Sequence, residues 1–260
     1  MITAGIDMGT QSIKVAILKD NEPMSQELVF SGFEPTRAAE QAFEEALRKA
    51  KFSHNEIKHI TATGAGAEMA HYSDSTISMV GAVARAGAYS FPSARTVIDI
   101  GAEEARAVRC DEKGTLLNFV VNERCAAGAG TFIEAMARAL EVNLREMGPL
   151  SLKAEKASQI NATCVIFGES DVVTLIHRQE PKPEIARAIY DAMAERISSM
   201  VYRLGVNPDV MLVGGVAKDV GFVASLERKL GTDVLIPENP EFAGALGAAL
   251  FAAKRVGESN

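Results

Sequence analysis

The sequence predicts a mixed α/β fold built from two related halves, and three observations support this prediction. First, β-meanders alternate with helical patterns along the chain, as in proteins whose sheets and helices form packed layers. Second, the order strand, Asp-x-Gly turn, strand, turn, strand occurs twice, around Asp7-Met-Gly9 and around Asp99-Ile-Gly101. Third, no long linker or low-complexity stretch interrupts the 260 residues, which suffice for two modest domains or one large domain.

Composition and charge exclude several classes of function. The formal net charge is −7 and no basic run is present, so nucleic acid and anionic membrane surfaces are not expected partners. The first residues lack a basic segment, and no apolar run is long enough to cross a bilayer. We therefore expect a cytoplasmic protein without a signal peptide. Its three cysteines are too few, and odd in number, for a disulfide framework.

The first half opens with a meander whose first turn is rich in polar residues. We expect strands at 2–7, 13–18 and 22–30. Glycine in such a turn lets the backbone approach an anion, polar groups bind phosphate oxygens, and an aspartate holds Mg²⁺ directly or through water. The candidate residues are Asp7, Gly9, Thr10, Gln11 and Lys14. An ordinary hairpin turn is the alternative interpretation.

Three further elements complete the first half. Residues 36–52 have strong helical periodicity, with Thr36 as the expected N-cap. Residues 57–63 predict a short strand, and residues 75–90 predict a helix that Pro92 ends.

The second half repeats the meander, with strands expected at 96–100, 104–109 and 116–121. The Asp99-Ile-Gly101 turn then occupies the position that Asp7-Met-Gly9 occupies in the first half. Two such turns facing each other across a cleft would grip a polyphosphate from both sides. The repetition therefore favours phosphate binding over two unrelated hairpin turns.

Two cysteines each precede a helical pattern. Cys125 is followed by small residues, including Gly128 and Gly130, and then by a helix, and Cys164 leads directly into a second helix. A thiolate beside the N–H groups of a helix N-terminus suits an anionic metal–sulfur group. Two cysteines per chain make four ligands only across a two-fold dimer axis or with a partner subunit. Cys110, in an alternating strand pattern, is interpreted as a small buried hydrophobic residue.

The last third supplies a strand that runs into Gly214-Gly215. The remaining predicted elements are helices at 184–204, 218–230 and 242–253 and strands at 209–213 and 234–236. A strand, two glycines and a helix would let a flat nucleoside lie against bare backbone, whereas a tight strand–helix turn is the alternative interpretation. We also expect Pro149 to break the segment 144–157.

Taken together, these segments resemble the superfamily of actin, the sugar kinases and Hsp70. Residues 5–14, 97–101 and 211–216 are similar to its first phosphate, second phosphate and adenosine motifs. Within that superfamily, Cys125-Ala-Ala-Gly-Ala-Gly130 and Thr163-Cys-Val-Ile-Phe-Gly-Glu-Ser170 resemble the cluster-binding segments of one family. That family contains the activators of 2-hydroxyacyl-CoA dehydratases and the ATP-hydrolysing subunits of benzoyl-CoA reductase. The resemblance covers essentially the whole chain.

The resemblance implies two RNase-H-like domains with mixed sheets around a nucleotide cleft: residues 1–93 with 240–260, and residues 94–239. It implies ATP or ADP, Mg²⁺ and one [4Fe–4S] cluster shared between two subunits, with Cys125 and Cys164 as ligands by motif match. ATP hydrolysis would drive one electron at low potential to a CoA-thioester reductase or dehydratase. The implied partners are that enzyme, a second ATPase subunit (identical or a sister), and a ferredoxin- or flavodoxin-type donor.

The same resemblance assigns roles to individual residues. Asp7, Asp99 and Glu103 correspond to the residues that handle Mg²⁺ and the attacking water. The candidate cofactor-binding residues are Gly9, Thr10, Gln11, Lys14, Gly101, Ala102, Gly128, Gly130, Gly214, Gly215 and Val216.

The second phosphate turn departs from the family pattern. The homodimeric activators usually have Asp-Ile-Gly-Gly-Gln-Asp, whereas this chain has Asp99-Ile-Gly-Ala-Glu-Glu104. Ala102 replaces the second glycine, and Glu103 replaces the glutamine that helps to place the attacking water, which weakens the inference of ordinary ATPase activity.

This departure resembles the diverged ATPase subunits of benzoyl-CoA reductases, which pair with a non-identical sister. We therefore favour that subgroup over a homodimeric dehydratase activator. A sugar- or acetate-kinase-like phosphotransferase and a non-catalytic nucleotide-binding subunit are the alternatives from other classes.

Overall fold

The structure, a computed structural model, describes residues 1–122, 129–156, 158–160 and 164–258. The strands in these ranges are β1 (Ile2–Met8), β2 (Ser12–Lys19), β3 (Glu22–Phe30), β4 (Ile57–Thr63), β5 (Ser75–Thr76), β6 (Thr96–Ile100), β7 (Ala105–Cys110), β8 (Leu116–Asn122) and β9 (Val210–Val213). The helices are α1 (Pro35–Ala50), α2 (Met79–Ser90), α3 (Gly130–Ala139), α4 (Leu144–Ser151), α5 (Val165–His177), α6 (Lys182–Leu204), α7 (Val220–Leu230) and α8 (Ala243–Glu258).

The strands form two sheets, which confirms the predicted mixed α/β class. The first sheet has the order β3-β2-β1-β4-β5, and the second has the order β8-β7-β6-β9. In the first sheet β1 runs antiparallel to β2 and parallel to β4. This register places Asp7 opposite Lys14 on one side and beside Thr63 on the other.

Contacts within the chain divide it into two compact units. The first comprises Met1–Val97, Val108–Asn118 and Glu241–Asn260, and the second comprises Ile98–Ala107 and Phe119–Pro240. These units differ from the predicted ranges of 1–93 with 240–260 and 94–239 mainly because residues 108–118 group with the first unit. The division into two functional domains remains a prediction.

In the first unit, helices pack on both faces of the sheet. Apolar residues of α1, among them Phe43 and Leu47, form a core with residues of β1 and β2 such as Ile6. On the other face α8 packs directly against β1, since a Cβ atom at Gly5 would lie 2.0 Å from the backbone oxygen of Ala245. Glycine is therefore required at this crossing for steric reasons.

In the second unit, a single apolar core joins the sheet to α3, α6 and α7. Its largest fully buried side chains include Phe132, Tyr190 and Phe222. Among the described helices, none combines the length and the apolar character that a membrane span requires.

Four local predictions are wrong, each for an identifiable reason. The helix predicted from Thr36 begins at Pro35 with Glu34 as its N-cap, because proline suits the first helical position. Residues 75–76 form β5 beside β4 and not a helix, and the helix begins only after the Ser78 cap.

The other two errors concern Pro149 and residues 234–236. Pro149 lies inside α4, where Asn143 caps the helix and the missing N–H removes only one hydrogen bond near the helix end. Residues 234–236 contribute an isolated bridge between Leu235 and Met211 in place of a strand.

Candidate functional site

The first phosphate turn places a buried ion pair beside exposed polar groups. Strand β1 ends at Met8 and β2 begins at Ser12, so residues 9–11 form the turn. Asp7 is 5% exposed, and its Oδ2 lies 3.5 Å from Lys14 Nζ. Thr10 and Gln11 are exposed. A cation and an anion are thus fixed at the base of a turn that is open at its tip, as phosphate and Mg²⁺ binding would require.

Ser31, which the sequence does not identify as a site residue, fixes this turn through two hydrogen bonds. Its hydroxyl donates to the Gly9 carbonyl at 2.8 Å, and its backbone N–H donates to the Gln11 carbonyl at 3.1 Å. Ser31 is buried. A single serine after a strand carries no sequence signal for this role, because both partners lie some twenty residues earlier.

We predict that Ser31→Ala raises the KM for ATP roughly fivefold, equivalent to about 1 kcal/mol, because one of the two hydrogen bonds that fix the turn is lost. Ser25→Ala is the matched control, since the Ser25 hydroxyl donates at 2.7 Å to Ala46 on α1, away from the turn. Steady-state hydrolysis and thermal unfolding would be measured for both variants. Equal effects on KM would show that Ser31 has only a structural role.

The second phosphate turn is closed by a backbone hydrogen bond, and Arg106 binds two carboxylates beside it. The Gly101 N–H donates to the Glu104 carbonyl at 2.9 Å. Asp99, at the end of β6, is 7% exposed and accepts a hydrogen bond from Arg106 Nη1 at 2.8 Å. Arg106 also forms an ion pair with Glu104. One guanidinium therefore pairs with the carboxylates of both Asp99 and Glu104 and offsets half of their combined charge.

The two unusual residues of this turn have different surroundings. Ala102 does not adopt a positive φ, so alanine in place of glycine brings no backbone strain here. Glu103 is exposed. The sequence does not single out Arg106, because the alternating pattern of β7 is equally consistent with an ordinary surface arginine.

The start of α3 is hydrogen-bonded to the second phosphate turn. The backbone N–H groups of Gly130 and Thr131 donate to the carbonyls of Gly101 and Ala102, each at 2.9 Å. A Cβ atom at Gly130 would lie 3.3 Å from the Gly101 oxygen and 3.4 Å from Val216 Cγ2. These amides were expected to face a metal–sulfur group. That expectation is wrong for Gly130 and Thr131, since both amides bind the phosphate turn.

Gly214 and Gly215 follow β9, and Gly214 packs against β6, the strand that leads into the second phosphate turn. Gly214 has φ +88°, and a Cβ atom there would lie 2.2 Å from the Ile100 oxygen and 2.9 Å from Asp99 Oδ1. Both the conformation and the close contact therefore require glycine at 214. A Cβ atom at Gly215 would meet nothing within 4 Å. The backbone is thus open at 215, as nucleoside binding would require, and it continues into a 3₁₀ turn before α7.

Cys164 lies at the N-cap of α5 and is a free, partly exposed thiol. The first backbone N–H groups of a helix lack intrahelical partners, so an anionic metal–sulfur group bound here would meet hydrogen-bond donors. Ile166 and Phe167, beside it, are 71% and 59% exposed. Cys164 therefore fits as one ligand of an iron–sulfur cluster.

The remaining cluster predictions have different outcomes. Cys125 and Gly128 lie outside the described residues. Cys110 is buried, as predicted, and burial raises the pKa of its thiol. Within the described ranges, no group of three or more His, Cys, Asp or Glu side chains could hold a metal ion. A four-cysteine site would therefore need sulfur atoms from beyond these ranges or from another chain.

Comparisons with known proteins identify the family. The model of the BadF/BadG/BcrA/BcrD ATPase family matches residues 4–252. The activator of lactoyl-CoA dehydratase from Anaerotignum propionicum is 39% identical, over 97% of each chain. A benzoyl-CoA reductase subunit from Thauera aromatica is 32% identical, over 98% of this chain and 94% of the relative.

Solved structures confirm the fold. The activator of the 2-hydroxyisocaproyl-CoA dehydratase from Clostridium difficile with bound ADPNP superposes with a TM-score of 0.92 and 35% identity, covering 100% of this chain and 97% of that chain. The ROK hexokinase from Thermus thermophilus, at 16% identity and a TM-score of 0.56, covers 99% of this chain and 100% of its own and shares the fold alone. By the extent of the family match and of these identities, the chain belongs to the BadF/BadG/BcrA/BcrD ATPase family.

Proposed function

We propose that this protein hydrolyses ATP to deliver single electrons at low potential, through an iron–sulfur cluster, to an enzyme that acts on a CoA thioester. The observation that carries the proposal is the pair of hydrogen bonds from Gly130 and Thr131 to Gly101 and Ala102. These hydrogen bonds connect the turn proposed to bind phosphate with α3, the helix that follows the Cys125 segment in sequence.

We assign the nucleotide roles separately within each unit. In the first unit, Lys14 and the 9–11 turn bind phosphate, and Asp7 binds Mg²⁺. In the second unit, Asp99 and Glu103 orient the attacking water, with Gly101 and Ala102 beside the phosphates. Gly214, Gly215 and Val216 bind adenosine. The open backbone at Gly215 supports the last assignment.

We assign the cluster ligands to Cys125 and Cys164 of two chains. A [4Fe–4S] cluster held in this way supplies a one-electron carrier whose potential depends on hydrogen bonds and exposure. The partly exposed thiol of Cys164 and its place at a helix start support this assignment. The second chain is either an identical copy or a sister subunit.

Coupling between hydrolysis and electron transfer is assigned to α3. When the phosphates change at Gly101 and Ala102, the amides of Gly130 and Thr131 move with the carbonyls they bind, and α3 carries the movement to the Cys125 segment. For one electron, each ~59 mV of potential corresponds to about 1.4 kcal/mol, so a few hundred millivolts are within the reach of ATP hydrolysis. If a chelator removed iron equally well whichever nucleotide was bound, this coupling would be wrong.

The partner is proposed to be a 2-hydroxyacyl-CoA dehydratase component. Relatives named as dehydratase activators reach 39% and 35% identity and support this choice. The alternative partner, which the sequence alone favoured, is a benzoyl-CoA reductase of anaerobic aromatic degradation. The Ala102-Glu103-Glu104 segment and the relative at 32% identity support it. In either case we propose cytoplasmic action with a ferredoxin- or flavodoxin-type electron donor.

A non-catalytic nucleotide-binding subunit is the second candidate function, and Glu103 is the observation that favours it. An exposed glutamate in place of the family's glutamine adds negative charge at the turn. Steady-state ATP turnover by the isolated chain separates the two functions, because a non-catalytic subunit would bind ATP without hydrolysing it.

Anaerobic purification tests the proposed function. We expect a brown protein with about four iron and four sulfide ions per two chains, and ATP turnover in the presence of Mg²⁺. An iron-free protein that transfers phosphate from ATP to a sugar or to acetate would contradict the proposal and identify a kinase of the same fold.

A further inference from the structure

Thr63 carries a buried hydroxyl group that lacks a hydrogen-bond partner in the described parts of the chain. It is the last residue of β4 and has 0% exposure. Leaving a buried hydroxyl unpaired costs about 1–3 kcal/mol. Such groups are rare in folded proteins and often mark a functional position.

The register of the sheet places this hydroxyl next to the first phosphate turn. Thr63 pairs with Asp7 in the parallel ladder of β1 and β4. Alternation along the strands puts Asp7, Thr3 and Thr63 on the face that packs against α8. The next residue, Gly64, has φ +94° and lies so near Asp7 that a Cβ atom at Gly64 would be 2.7 Å from Asp7 Oδ1.

The other threonines of this face have their hydroxyl groups satisfied. Thr3 donates to the Ala249 carbonyl at 3.1 Å, and the Thr61 hydroxyl lies 3.0 Å from Ser75 Oγ. Among these three buried threonines, Thr63 is therefore the one whose hydroxyl group has no acceptor among the described residues, and it lies beside Asp7, the proposed Mg²⁺ ligand.

We infer that Thr63 is a positioning residue of the nucleotide site. When Mg²⁺ and ATP bind, its hydroxyl donates to the Asp7 carboxylate and fixes the orientation of that carboxylate towards the metal. A carboxylate accepts several hydrogen bonds, and donors of this kind typically change metal affinity 10–100-fold. The inference rests on the proposed role of Asp7 as the Mg²⁺ ligand.

The test uses two variants that retain the shape of the side chain. Thr63→Val removes a hydroxyl without a partner, and Thr3→Val removes one with a partner on the same sheet face. We expect Thr63→Val to keep or raise the unfolding temperature while raising the apparent KM for Mg²⁺ in ATP hydrolysis about tenfold. Thr3→Val should lower the unfolding temperature and leave that KM unchanged, and Thr63→Ser should restore the wild-type KM.

Each outcome separates this inference from the proposed function. If the wild type neither binds nor hydrolyses Mg²⁺·ATP, both the proposed function and the inference are overturned. If the wild type is active and Thr63→Val has the same KM for Mg²⁺, only the inference is overturned. A loss of stability and turnover together, without a change in that KM, would likewise overturn it, because it would show a structural role.

Discussion

The Cys164→Ala protein is expected to emerge from anaerobic purification without the visible absorbance of an iron–sulfur cluster and with its iron content near zero. Cys164 combines a free thiol, partial exposure and the N-cap position of α5, which together favour a metal-bound thiolate. Cluster assembly with one ligand missing from each chain would leave two ligands of four. Iron and sulfide analysis with electron paramagnetic resonance would measure the loss.

Cys110→Ala is the control for this experiment. The Cys110 thiol is buried, and its Sγ lies 3.8 Å from the Ala94 carbonyl oxygen. The variant should keep a full complement of iron and lose about 1 kcal/mol of stability from a small cavity. If Cys164→Ala retained as much iron as Cys110→Ala, the assignment of Cys164 as a ligand would be wrong.

Asp7→Asn is expected to lower ATP turnover about a hundredfold or more while leaving the iron content unchanged, because an amide replaces the charged oxygen assigned to Mg²⁺. The carboxylate is nearly buried beside Lys14, one residue before the end of β1. Removing its charge also leaves the Lys14 ammonium without this ion pair, so some loss of stability accompanies the loss of turnover.

Asp20→Asn provides the comparison. The Asp20 side chain is 67% exposed and pairs with the N-terminal amine, away from the phosphate turn. The Asp20→Asn protein should keep the wild-type ATP turnover and the wild-type KM for Mg²⁺. An Asp7→Asn protein that hydrolyses ATP at the wild-type rate would show that the first phosphate turn has another role.

The strands and the two Asp-x-Gly turns could be predicted from sequence because their signals are local. The strand predicted at 57–63 has the same bounds in the structure, and Asp7 and Asp99 lie buried at strand ends as the repeated pattern indicates. Periodicity and turn chemistry operate over a few residues, so a single sequence contains them.

The residues that support the site could not be predicted, because their partners are distant along the chain or chemically ordinary. Ser31 contacts a turn that lies some twenty residues earlier, and the unsatisfied hydroxyl of Thr63 is visible only once the sheet is formed. The hydrogen bonds between α3 and the second phosphate turn likewise join residues that belong to separate motifs in the sequence.

A spectroelectrochemical titration of the anaerobic protein would test the central claim that ATP controls the energy of a transferred electron. We predict that the one-electron potential with a non-hydrolysable ATP analogue differs from that with ADP by more than about 59 mV, a tenfold change in the equilibrium constant. Identical potentials in the two nucleotide states would contradict the account.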